Sequence, residues 1–399
     1  MAAMGDTLSG ETLISEATKS QALTVTGGVA RNTVLPRVEW EGTSPKVNPS
    51  QRHRFEELGL LGEGGMGEVV LAQDHDIERQ VALKRLPENC DVGRVLRFVE
   101  EIRTVGRLEH PNIVPVHDVG IDAAGRYYFV MKHLHGETLE SIIGRLRDGD
   151  AAVHARFTMP VRVQLMMSVM NALTYAHKQG FIHRDLKPAN IMVGPYGEVT
   201  VMDWGLAKRI RSPERITGEV MSGPRDRTPL QTQLGSIMGT PLYMSPEQAR
   251  GENDTLDERS DIYALCVVFH ELLHLDHYLQ GRPDLQSVLD GVKKVTPVLH
   301  VATLKGRRYQ VPAELDWFLE RGFHKDSTER YASVADMAEE LQRIIRGECR
   351  VQCQRTFIKR MLGEASRFTD ERPAVIIIGA AALGSLFLAA IVKSLLVFM

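Results

Sequence analysis

Residues 183–190 read His183-Arg184-Asp185-Leu186-Lys187-Pro188-Ala189-Asn190, which places a carboxylate, an amine and an amide within six residues. Phe181-Ile182 leads in and Ile191-Met192-Val193 leads out, so a polar turn is held between two short apolar stretches. Thirteen residues beyond Asn190 stands a second carboxylate, in Asp203-Trp204-Gly205. One carboxylate for a nucleophile, an amide and a second carboxylate for a metal ion, and a cation for phosphate form the layout that phosphoryl transfer needs. A polar turn between two strands accounts for either stretch alone, but not for both at this spacing.

Upstream, Leu60 to Leu71 contains Gly62-x-Gly64-x-x-Gly67-x-Val69 between apolar flanks. Glycines let a backbone approach phosphate oxygens with no Cβ in the way. A dinucleotide-binding fold uses a similar pattern but starts a helix at the third glycine. Here Glu68-Val69-Val70-Leu71-Ala72 reads as a strand, and Val81-Ala82-Leu83-Lys84 as the next. The expectation is a hairpin covering a nucleotide, with Lys84 on the following strand. Val95, Phe98, Ile102 and Val105 then recur at helical spacing, which turns Glu101 inward with them. A buried glutamate needs a cation, and Lys84 is at hand. Tyr127 to Met131 is an apolar strand, and Lys132-His133-Leu134-His135-Gly136 after it suits a hinge between lobes. Helical periodicity follows from Thr138 and again from Val161 to Lys178, where Met166, Met167 and Met170 are core.

With these motifs in order, the chain resembles the eukaryotic-type protein kinases, specifically the bacterial membrane-anchored Ser/Thr kinases, over about Phe55 to Arg346. The resemblance implies an α+β, two-lobed fold with a small β-rich N-lobe and a large helical C-lobe. It implies ATP and Mg2+ as cofactors and Ser/Thr hydroxyls of proteins as acceptors. Asp185, Lys187, Lys84 and Glu101 are then the catalytic set, and Asn190 and Asp203 the metal ligands. ATP is expected against Leu61, Gly62, Glu63, Gly64, Gly65, Met66, Gly67, Glu68, Val69, Ala82, Lys84, Met131 and Leu134. Glu247 is expected to pair with Arg330 and Asp261 to tether the catalytic loop. Thr240 belongs to the substrate-docking loop. Arg184 awaits a phosphate on the segment 203–247, where Thr232, Ser236 and Thr228 are the acceptors for autophosphorylation.

Five positions depart from the family's pattern: Trp204 for Phe, Lys132 for a hinge acid, Cys266 for Gly, and His274-Leu275 for Thr-Gly. None is a catalytic position. A pseudokinase scaffold that binds nucleotide without catalysis would lack Lys84, Asp185, Asn190 or Asp203, and all four stand. A small-molecule phosphotransferase of the same fold would lack Gly239-Thr240-Pro241 and Pro246-Glu247.

The chain has 399 residues, 43% hydrophobic and 25% charged, with a formal net charge of -3, so overall charge gives no argument for a nucleic-acid partner. The four cysteines lack disulfide-framework spacing, which points to reduced thiols. Residues 1–52 are Ser/Thr-rich and are expected to be a disordered tail, before a kinase domain at 53–346 and a basic linker at 347–373. Ala374 to Val392 carries no charge; nineteen residues at ~1.5 Å each span about 28 Å, enough to cross a bilayer. The expectation is a single-pass helix over 374–396, with the preceding basic residues keeping the kinase domain in the cytoplasm. Ala380 and Gly384 form a small-xxx-small pair that permits a homodimer.

Overall fold

The computed structural model describes residues 31–49, 52–64, 67–88, 90–209, 241–253, 255–297, 299 and 311–348, with the single positions 361 and 384. By internal contacts the chain falls into two units, 1–142 with 175–239, and 143–174 with 240–399. The first is rich in strands and the second in helices.

In the strand-rich unit, β1 (Arg37–Glu41) and β2 (Ser44–Asn48) form a two-stranded hairpin. A five-stranded antiparallel sheet follows in the order β3-β4-β5-β7-β6. Its strands are β3 (Phe55–Gly64), β4 (Gly67–Asp74), β5 (Arg79–Arg85), β6 (Val116–Ile121) and β7 (Tyr127–Lys132). Alternation decides its two faces. Val70, Ala72, Val81, Leu83, Tyr128 and Val130 make one apolar layer. On the other face, Phe129 packs with Leu86 and with Phe98 of helix α1 (Val92–Val105). The Asp91 side chain caps α1 by accepting from the Arg94 amide, and Phe98, Glu101, Thr104 and Val105 are its buried positions. The amphipathic spacing thus becomes the helix it predicts.

The expected disordered tail is corrected over 31–49, while residues 1–30 lie outside the described residues. Thr33 N–H donates to Arg52 O (2.8 Å), and the Val34 and Leu35 amides both donate to Asp76 Oδ1 at 2.8 and 2.9 Å. Arg31 reaches Asp118 at 2.5 Å, and Arg54 bridges Asp118 (3.0 Å) and Asp74 (2.9 Å). Such ionic and backbone partners hold the segment without the apolar burial that its composition cannot supply.

The 183–190 loop also belongs to the strand-rich unit. It sits between β9 (Phe181–Ile182) and the hairpin of β10 (Ile191–Val193) and β11 (Val199–Val201), with β8 (Glu137–Thr138) alongside β10. β12 (Lys208–Arg209) pairs with β9. The 132–136 link therefore lies within this unit rather than at its border. The reason is a tertiary stitch. Val114 N–H donates to Val201 O (3.2 Å), Val201 N–H to Asn112 O (2.8 Å), and Asn112 Nδ2 to Val199 O (2.8 Å). Gly136 makes the turn before β8 close-packed: its φ is +134°, and a Cβ there would stand 2.1 Å from Val193 O.

The helical unit is built on the helix Glu258–His274, which is buried from Ser260 to Leu273. It packs with the helices Ala313–Gly322 and Val334–Ile345. Among the described residues no helix is long and apolar enough to cross a membrane. The expected span at 374–396 and most of the linker before it lie outside the described residues.

Candidate active site

The strand-rich unit holds Lys84, Glu101, Asp185, Lys187, Asn190 and Asp203 together. Lys84 is the inward residue near the end of β5, and Glu101 lies on the buried face of α1 at 4% exposure. Lys84 Nζ donates to Glu101 Oε1 at 2.6 Å and stands 3.7 Å from Asp203 Oδ1. Burial would lower the lysine's pKa, but the two carboxylates more than offset it and hold the ammonium above its ordinary range. Burial pushes the Glu101 carboxyl up, Lys84 opposing and Asp203 adding to the rise.

The 183–190 loop is tied by its own side chains. Lys187 Nζ donates to Asp185 Oδ2 at 2.6 Å. Asn190 Nδ2 donates to the Asp185 carbonyl (2.9 Å) and to Oδ2 (3.3 Å), and the Met202 amide donates to Asn190 O (2.8 Å). These bonds fix the Asp185 carboxylate on one side and leave the Asn190 amide oxygen facing away from it.

His183, fully buried, is a partner to which the sequence assigns no role. The Asp185 amide donates to His183 Nδ1 at 3.3 Å, so the ring's proton is on Nε2, which meets Met202 O at 3.1 Å. The ring also lies 4.6 Å from that of Trp204. One imidazole thus links the backbone of the Asp185 loop to the residue before Asp203. The backbone is strained on both sides of it: Arg184 has φ +70° and Asp203 φ +55°, left-handed values that non-glycine residues rarely adopt.

The glycine hairpin is the turn of β3 and β4. Gly67 has φ +130°, and a Cβ there would stand 2.1 Å from Arg85 O, so only glycine closes the hairpin on β5. Around Gly62 and Gly64 the Cβ positions are open. Leu61 is 48% exposed on the same strand, while Ala82 is buried at the start of Ala82-Leu83-Lys84. Gly65 and Met66 at the turn lie outside the described residues.

The family model described as the protein kinase domain matches residues 55–342. The chain belongs to the protein kinase family. It is 33% identical over 318 residues to the serine/threonine-protein kinase PknD of Protochlamydia amoebophila, covering 76% of this chain and 31% of that protein. It is 35% identical over 310 residues to the serine/threonine-protein kinase PknB of Mycobacterium tuberculosis, covering 76% of this chain and 45% of that protein. The PknB of Mycobacterium leprae is 33% identical over 307 residues, with 75% and 44% covered. The chain spans less than half the length of these relatives. The family begins at Phe55, so the 31–49 hairpin lies before the matched residues.

In the helical unit, Arg330 donates to both Glu247 oxygens at 2.8 and 2.9 Å, and Asp261 is buried in the first turn of its helix. Thr228, Thr232, Ser236 and Thr240 lie outside the described residues. So does the rest of the segment from 210 to 240.

Proposed function

We propose that this chain is an ATP- and magnesium-dependent protein kinase that phosphorylates Ser/Thr hydroxyls of protein substrates. The observation that carries the reading is the ion pair at Lys84: one ammonium bonded to Glu101 and within 3.7 Å of Asp203, in the unit that also carries Asp185. That pairing aims a buried cation along the strand that follows the glycine hairpin, where nucleotide phosphates are gripped.

The donor set fits a hard divalent cation. Asn190 turns its amide nitrogen to Asp185 and so has its carbonyl oxygen to offer, and the Asp203 carboxylate is 44% exposed. The open Cβ positions at Gly62 and Gly64 fit close approach of a phosphate chain. Asn190 and Asp203 would hold the magnesium ion, which when bound would neutralise phosphate charge. The residues do the rest. Lys84 holds the inner phosphates, Asp185 orients the acceptor hydroxyl and takes its proton, and Lys187 balances charge on the moving group. Asn190 keeps Asp185 from rotating. Asp261 tethers the loop in this reading, and Arg184 receives a phosphate placed on Thr232, Ser236 or Thr228 by autophosphorylation. The uncharged run at 374–392 anchors the chain in a membrane with the kinase domain in the cytoplasm.

The test is transfer of labelled phosphate from ATP to a generic basic protein. Asp185→Ala and Lys84→Met each abolish incorporation; incorporation unchanged in both overturns catalysis at this site.

A further inference from the structure

Lys84 and Arg85 are consecutive on β5, so their side chains leave opposite faces of the sheet. Lys84 goes to Glu101. Arg85 enters a chain of charges that runs across the strands flanking the glycine hairpin. Its Nε donates to Glu68 Oε1 at 2.5 Å, its Nη1 pairs with Glu57, and its Nη2 donates to Glu57 Oε2 at 3.1 Å. Arg126, beyond β6, reaches Glu68 at 3.4 Å from one guanidinium nitrogen and Asp122 at 2.7 Å from another. The Arg85 side chain is only 12% exposed.

The strand register shows why the hairpin needs this hold. Glu63 of β3 stands directly opposite Glu68 of β4, and Glu68 directly opposite Arg85 of β5. Directly opposed residues share a face, and like charges there repel. The Glu63–Glu68 pair therefore pushes the hairpin strands apart next to Gly64 and Gly67, and Arg85 and Arg126 neutralise Glu68 against it. The Arg85 hydrogen bond holds the Glu68 carboxyl below the usual range, burial opposing and the charges of Arg85 and Arg126 adding. Arg85 also meets the hairpin through its backbone, since its carbonyl leaves no room for a Cβ at Gly67.

We infer that Arg85 is a positioning residue for nucleotide: by gripping Glu68 on β4 and Glu57 on β3 it fixes the glycine hairpin over the site that Lys84 faces. The inference rests on the kinase reading above. Glu57–Arg85–Glu68–Arg126–Asp122 is one continuous ladder, so removing the cation at Arg85 loosens the side-chain hold on both hairpin strands at once, while Arg126 still reaches Glu68. Lys84 keeps its own partners on the other face, so the loss falls on ATP affinity more than on the chemical step.

The experiment titrates the full chain with ATP and magnesium at equilibrium, alongside steady-state kinetics and thermal melting. Arg85→Gln raises the Kd and KM for ATP about 5- to 10-fold while kcat falls by less. Glu68→Gln raises them by a smaller factor, and adding it to Arg85→Gln changes them by less than about 2-fold, because both cut the same link. Wild-type ATP affinity in Arg85→Gln, or effects that multiply independently, overturns the inference. Should Arg85→Gln not fold, Glu68→Gln carries the test, and unchanged ATP affinity there overturns it. A wild-type chain that binds no ATP overturns the kinase reading instead, and this inference with it.

Discussion

Arg330 and Glu247, 83 residues apart in the chain, meet through two parallel hydrogen bonds at 2.8 and 2.9 Å. Ser260 Oγ adds a third bond to Glu247 Oε1 at 2.7 Å, and Arg330 also donates to the carbonyls of Arg259 and His324. Both charges are nearly out of solvent, at 8% and 2% exposure. Removing one partner leaves the other charge buried alone. Arg330→Met therefore destabilises the helical unit by about 3–5 kcal/mol, read as a shift in the denaturant midpoint. Burial alone would raise the Glu247 carboxyl, but the Arg330 bonds and charge outweigh it and hold the group below its usual range. Its contribution to stability is present above the unfolded carboxylate pKa and is lost as pH falls through the lower folded value.

His277 makes a second pH limb, of the other residue type. Burial, and then the charge of Arg147, lowers its pKa to about 4, partly offset by a backbone hydrogen bond. The folded state therefore binds the proton more weakly than the unfolded state. Stability falls as pH drops from about 6.5 to about 4, by on the order of 3 kcal/mol in full. Denaturation midpoints measured across that range show the slope in the wild type, and His277→Phe removes most of it. An equal slope in the variant assigns the effect elsewhere.

Cys266 and Gly322 are a matched pair. A Cβ at Gly322 would stand 2.1 Å from Cys266 Sγ, and the thiol is fully buried. The backbone at Gly322 is helical, so the obstacle to a side chain is the sulfur alone. Gly322→Ala costs about 1–3 kcal/mol by overpacking. Adding Cys266→Gly restores much of it, so the double variant is more stable than the two single effects predict. Thermal melting of the four proteins decides the matter.

His183 is expected to matter through placement. His183→Phe keeps a ring against Trp204 but removes the bonds to the Asp185 amide and the Met202 carbonyl. The Asp185 and Asp203 segments then lose their common reference, and kcat falls about 10- to 100-fold. The KM for ATP moves much less, because Lys84 and the glycine hairpin are untouched. A matching rise in that KM with kcat intact refutes the placement role.

What the sequence reveals depends on how far a residue's partner lies along the chain. Val95, Phe98, Ile102 and Val105 share one helix, so their spacing yields α1 and the inward turn of Glu101 directly. The Gly194–Gly197 turn between β10 and β11 is local in the same way. His183 is different: it stands in the most informative stretch, yet its role comes from Met202, 19 residues away, which no period links to it. The grouping of the 183–190 loop with the sheet comes from Asn112 and Val114 meeting Val199 and Val201. The 31–49 segment is the clearest misreading. Its composition carries the marks of disorder, and what orders it is Arg31 on Asp118 and two amides on Asp76, contacts 87, 42 and 41 residues apart.

That clasp separates two kinds of boundary. The family's shared sequence opens at Phe55, one residue past Arg54. A chain trimmed to that point sheds both arginines that meet Asp118, and with Arg54 the cation bound to Asp74, which is only 1% exposed. It keeps Lys84, Glu101, Asp185, Asn190 and Asp203, but leaves the nearly buried Asp74 carboxylate without the Arg54 cation and with the Asp76 amide still donating to it at 3.0 Å. A chain begun at Arg31 keeps these ion pairs, and one begun at Phe55 is expected to melt at a lower temperature for want of them.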